Sequence, residues 1–167
     1  LLMMDGAAKS PELALITESV LNANARIRFF RVAFGAAGTD QRIGRAEVQG
    51  ILSDISRGGR LGYDWQSQTD LSRREVKLIL LILLCLESAM AYGGKVSVTQ
   101  GEGGWQITGH AHKLKIDPAL WGLLTEPAAP PDLGAGQVHF ALVPEELQRQ
   151  SRRLRADLTE TTITLSI

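Results

Sequence analysis

Apolar residues recur at positions 13, 16, 20, 23, 27, 30 and 34, which are Leu, Ile, Val, Ala, Ile, Phe and Phe. Their spacing alternates three and four, the pattern of a coiled-coil or bundle seam. Ser10-Pro11 opens the helix that carries them, with serine as N-cap and proline at the first helical position. A lone helix cannot bury such a stripe. It needs an upstream helix, a second copy of itself, or both, as in a four-helix bundle. The chain starts Leu1-Leu2-Met3-Met4, which reads as the end of an element and points to a helix upstream of this sequence.

Gly35-Ala36-Ala37-Gly38 loosens the helix end and divides the chain into 1–38 and 39–167. A second amphipathic helix is expected over Ala46 to Arg57, with Val48, Ile51, Leu52 and Ile55 on one face and Gly58-Gly59 as its stop. Leu61, Tyr63 and Trp65 alternate as a strand. Ser72 to Val98 is the centre of this half. Ser72 and Glu75 have capping-box spacing, and nearly every position from Val76 to Leu86 is apolar, so the helix is expected to be buried on most of its surface. Gly93-Gly94 stops it, and strands follow over Lys95 to Thr99 and Trp105 to His112, joined by the turn at Gly101 to Gly104. Asp117-Pro118 starts a short helix with Leu120, Trp121, Leu123 and Leu124. Pro127 to Gly136 reads as a loop, Pro144 to Gln150 as a helix, with Val138 to Val143 left open because Pro144 would interrupt an extension through them, and Leu154 to Leu158 with Thr162 to Ile167 as a hairpin. Five strands and three or four helices fit one sheet covered by helices on one face.

The chain has 167 residues, 44% hydrophobic and 22% charged, with a formal net charge of zero. Nothing global calls for nucleic acid. The apolar run Leu78 to Leu86 is far short of the roughly 20 residues a membrane span needs. The single cysteine, Cys85, sits in the apolar helix and reads as a packing residue; with no disulfide to form, a cytoplasmic setting is expected.

His110 and His112 lie two apart on an expected strand and would share a face, but no carboxylate or cysteine has ligand spacing beside them, so no metal is expected. His139 reads as a surface residue. No nucleophile-base constellation is evident, and Gly134-Ala135-Gly136 matches no nucleotide fingerprint. Between Glu18 and Asp40 the only charged residues are Arg26, Arg28 and Arg31, with Phe29 off the apolar stripe among them. That is either a solvated basic face or a docking patch for an acidic partner. The second basic cluster, Arg149, Arg152, Arg153 and Arg155, reads as a solvated corner.

The central helix, the Gly-Gly turn and the alternating strand resemble the histidine-kinase ATP-binding domain. That resemblance implies asparagines for magnesium and phosphates where Leu84 and Ser88 stand, and an Asp-x-Gly-x-Gly box where Gly109-His110-Ala111-His112-Lys113 stands. The departures imply the fold without ATP or another cofactor. Together with Ser10 to Ile16, Asn22 to Arg31, Ala33-Phe34-Gly35, Gly58 to Leu61 and Arg73 to Leu78, the chain resembles the ChpT-type histidine phosphotransferases of alphaproteobacteria. The fold implied is α+β: a helical-hairpin dimerisation domain, forming a four-helix bundle in the dimer, then a degenerate kinase-type α/β sandwich. Leu13, Ile16, Val20, Ile27, Phe30 and Phe34 would line the bundle seam. The resemblance also implies a homodimer. It would relay a phosphoryl group from the receiver domain of a hybrid histidine kinase to response-regulator receivers controlling the cell cycle. The accepting histidine would lie upstream of Leu1, facing Arg26 to Phe34, so that Arg26, Arg28, Phe29 and Arg31 would bind the partner. A non-catalytic dimeric scaffold for receivers or kinases is the alternative.

Overall fold

The structure, a computed structural model, describes residues 10–126 and 132–167. The opening Leu1-Leu2-Met3-Met4 cluster and the first part of the Pro127 to Gly136 loop lie outside the described residues. Helix α1 spans Pro11–Ala33, and the Ser10 side chain accepts the Leu13 amide at 3.1 Å as its N-cap. Strand β1 (Arg42–Gly44) leads into α2 (Arg45–Gly58), followed by β2 (Leu61–Gln66), β3 (Asp70–Ser72) and the central helix α3 (Arg73–Ala89). Strands β4 (Gly94–Gly101) and β5 (Gly104–His110) form the expected hairpin. Helix α4 is Pro118–Thr125, capped by the Asp117 carboxylate on the Ala119 amide, and α5 is His139–Arg149. Strands β6 (Arg155–Leu158) and β7 (Thr162–Ser166) close the chain.

Five strands make one mixed sheet in the order β2-β4-β5-β7-β6, with only the β2–β4 pair parallel. Val96, Val98, Trp105, Ile107, Ile163 and Leu165 point to one face, where α3 buries every residue from Leu78 to Leu86. A helix apolar all round has to be enclosed, and here the sheet lies below it with α1 and α5 against its sides. Gly94 is fixed by this packing. Its φ is +149°, and a Cβ there would lie 2.2 Å from the His110 carbonyl oxygen.

Four expectations need correction. A separate two-stranded sheet, β1 with β3, escaped the sequence reading because three-residue strands carry no usable period. Ser72 precedes α3 as expected but makes no side-chain cap; Glu75 instead accepts Arg152 at 2.5 Å. Helix α5 begins at His139 and runs through Pro144, because Phe140, Val143 and Leu147 on its buried face hold the turn preceding the proline. Finally, β5 ends at His110, so His112 does not share a strand face with it. Residues on both sides of the Gly35 to Gly38 linker share one hydrophobic core.

Candidate functional site

Helix α1 is apolar on two faces. Ala25, Phe29, Val32 and Ala33 recur at i, i+4, i+7 and i+8 and are buried against α2 and α3. The bundle stripe lies on the other face. Leu13, Ile16, Val20, Ile27, Phe30 and Phe34 are all exposed, from 37% at Phe30 to 60% at Ile16. A run of exposed apolar residues at seam spacing marks a surface built to be covered.

The attached face is secured by charge as well as by packing. Arg26 forms a bidentate pair with Glu87 of α3 at 3.0 and 3.2 Å, and its guanidinium lies 4.9 Å from the Phe30 ring centre. Arg28 binds Asp54 of α2 at 2.7 Å. Lys77 reaches from α3 to the end of α1, donating to the Ala33 and Gly35 carbonyls at 2.9 and 2.8 Å. These are carbonyls the helix end leaves without an intrahelical donor, and a cation suits that end of the dipole. Burial pulls the Lys77 pKa down, with the Glu146 charge opposing.

The four residues read as a docking patch therefore separate. Phe29 is corrected outright: it is 1% exposed and anchors α1 to the sandwich. Its position off the stripe placed it on the second apolar face, which the Ala25, Phe29, Val32, Ala33 spacing signalled. Arg26 and Arg28 are half-exposed and braced inward. Arg31 is exposed and forms no ion pair among the described residues.

The α3 face carrying Ser88 lies under α5. His139, expected at the surface, is buried there, with Nε2 at 3.3 Å from the Ser88 hydroxyl and its ring against Phe140. Burial lowers its pKa, and the Glu87 charge opposes. The folded state thus favours the neutral ring more than the unfolded chain does, whose histidine protonates at the ordinary value. Stability contributed by this site is lost as pH falls below about 6.5. Melting temperature should drop more between about pH 7.5 and 5.5 in the unaltered protein than in His139→Gln; equal drops would show that this ring does not control the acid limb. Gly134 is occupied locally: its amide and carbonyl both bond Gln137. In the second basic cluster Arg149 pairs with Glu145 and Glu146, and Arg152 with Glu75. Cys85 is fully buried, which pushes its thiol pKa up and keeps it unreactive. No group of three or more histidine, cysteine or acidic residues placed to hold a metal occurs among the described residues, and no described helix is long and apolar enough to cross a membrane.

Comparison with known proteins shows which family this fold belongs to. The histidine phosphotransferase C-terminal domain family matches residues 45–162. The chain belongs to the histidine phosphotransferase family. Histidine phosphotransfer in two-component phosphorelays is the activity of that family, and this phosphotransferase domain is similar to the protein phosphotransferase ChpT of Brucella abortus (strain 2308). The two are 29% identical over 150 residues, covering 85% of this chain and 72% of the relative. A solved bacterial phosphotransferase superposes with a TM-score of 0.80 at 27% identity, over 99% of this chain and 82% of that one. The mycobacterial sensor histidine kinase MprB shares the fold at a TM-score of 0.51 and 18% identity, over 75% of this chain and 93% of that one.

Proposed function

We propose that this phosphotransferase relays a phosphoryl group between receiver-domain aspartates, from a hybrid histidine kinase to response regulators of a cell-cycle phosphorelay. Residues 1–38 act as the dimerisation element and 39–167 as a sandwich domain that works without nucleotide. The observation carrying this reading is the exposed stripe of α1 opposite a firmly attached face. It suits a homodimer in which α1 and a helix preceding Leu1 form a hairpin, and two hairpins form a four-helix bundle. The accepting histidine sits on that preceding helix.

In the transfer step an imidazole nitrogen attacks phosphorus and the acyl-phosphate P–O bond breaks. The donor aspartate leaves as carboxylate, and the receiver would supply the metal and the electrostatics that stabilise the transferring group. The return step to the next receiver is its reverse. What this chain adds is placement. Phe29, Lys77 and the Arg26–Glu87 pair hold α1 at a fixed angle to the sandwich, so a receiver meets a preformed surface.

Arg31 is the direct contact for the acidic receiver pocket, with Arg26 and Arg28 contributing their exposed edges. Calorimetric titration with an isolated receiver domain tests this. Arg31→Ala should weaken binding about threefold to tenfold and flatten its salt dependence. Unchanged affinity and salt slope would remove Arg31 from the interface.

A further inference from the structure

The sheet ends on an open edge. In the order β2-β4-β5-β7-β6, the edge strand β2 packs against α2, whereas β6 has no strand beyond it among the described residues. All four residues of β6, Arg155–Leu158, are exposed. An unpaired edge is a template for another strand, and proteins commonly blunt it by keeping it short and charged. This edge is short and charged, yet its charges are of opposite sign on either side of Ala156, which changes what they do.

Hydrogen bonding alternates along an antiparallel pair, and two observations fix its phase here. The Thr159 amide donates to the Thr162 carbonyl at 2.8 Å. Trp105 and Ile167 exchange two bonds at 2.9 and 3.0 Å, which commits every second residue of β7 to β5 and turns Thr162, Thr164 and Ser166 toward β6. Their partners Asp157 and Arg155 therefore bond inward, while the N–H and C=O groups of Ala156 and Leu158 point out of the sheet. Side chains follow the pleat. Ala156 and Leu158 oppose the core residues Leu165 and Ile163, and Arg155 and Asp157 oppose Ser166 and Thr164 on the other face. Neither Arg155 nor Asp157 forms an ion pair among the described residues.

We propose that β6 is a self-association edge, pairing antiparallel with β6 of a second copy about a two-fold axis at Ala156. Register decides in favour of this occupant. Centred on Arg155 the pairing sets arginine against arginine, and centred on Asp157 it sets aspartate against aspartate. Centred on Ala156 it joins the outward N–H and C=O groups of the two alanines and places Arg155 of each copy directly opposite Asp157 of the other, twice over. It also gives cover to Leu158, which is 41% exposed. An edge of four residues makes a small contact, so the association is weak and acts at high local concentration. The edge is separate from the stripe on α1 and does not depend on the bundle. Where the bundle forms as well, two two-fold contacts on each protomer string the dimers into an open array.

The test is a cross-link on the full chain, read at the axis itself and so independent of any contact through α1. In Ala156→Cys the two thiols of a pair face each other across a hydrogen-bonded position, where Cα atoms lie about 5.5 Å apart, within disulfide range. The native Cys85 is fully buried and stays out of the reaction. Mild copper-phenanthroline oxidation should give a covalent dimer, and Glu102→Cys, exposed on the β4–β5 turn, should give at least about tenfold less. Adding Asp157→Arg to Ala156→Cys sets like charges opposite each other and should cut the yield about tenfold. Adding Arg155→Asp to that variant restores opposite charges and should recover the yield to within about twofold. All these side chains are exposed, and unchanged circular dichroism checks that each variant is folded. A yield at Ala156→Cys no higher than at Glu102→Cys, or one indifferent to Asp157→Arg, would overturn the proposal. So would failure of the charge exchange to restore cross-linking in a folded variant.

Discussion

Phe29→Ala should lower the stability of the folded chain by about 3–4 kcal/mol, the ordinary cost of emptying a phenylalanine site in a packed core. Against a total of roughly 5–15 kcal/mol for a domain, that is a large fraction, and it corresponds to a drop of about 10 °C in melting temperature. The expectation rests on burial. Phe29 is 1% exposed and sits where α1 meets α2 and α3, between Ala25 on one turn and Val32 and Ala33 on the next. The control is Leu15→Ala on the same helix, whose side chain is 64% exposed and should change stability by no more than about 0.5 kcal/mol. Chemical denaturation of the two variants separates the outcomes. Similar midpoints would mean that Phe29 does not anchor α1 and that the helix is only loosely associated with the sandwich.

The second large effect is on assembly. Ile16→Asp with Ile27→Asp should leave each protomer folded, because the side chains are 60% and 49% exposed. In a bundle both positions fall on the seam, and a symmetric dimer would bury four carboxylates. Each costs several kcal/mol unless it is paired, so the dissociation constant should rise about a thousandfold or more. Sedimentation equilibrium on the protein carrying the upstream helix proposed for it reads this directly. A shift from dimer to monomer with unchanged circular dichroism is the expected result. A dimer that persists at unchanged affinity would place the interface elsewhere and leave the stripe unexplained.

Much of this was legible in the sequence, and the reasons for the rest are physical. The stripe on α1 stood out because its residues keep a strict three-four spacing. The central helix, the Gly-Gly turn and the two hairpins follow from local patterns, and the structure places each within a few residues of its expected bounds. The attached face of α1 was harder to see. One helix serves two surfaces, and the seam spacing drew attention from the Ala25, Phe29, Val32, Ala33 set, so Phe29 passed for an exposed aromatic. The braces were out of reach. Arg26 meets Glu87 across 61 residues and Lys77 meets the Ala33 carbonyl across 44, and no local period encodes such pairs. His139 was misplaced because it stands alone in a mixed segment with no period to assign it a face, whereas tertiary packing against α3 carries α5 back to His139 itself.

The central claim is that this fold passes a phosphoryl group and does not merely hold two receivers together. The decisive measurement follows a radiolabelled phosphoryl group from a phosphorylated hybrid-kinase receiver, through the protein carrying the upstream helix proposed for it, to a response-regulator receiver. The account predicts label on the protein that is stable to base and labile to acid, as a phosphohistidine is, and its onward movement to the second receiver without added ATP. Measurable binding of both receivers with no label ever appearing on the protein would contradict it.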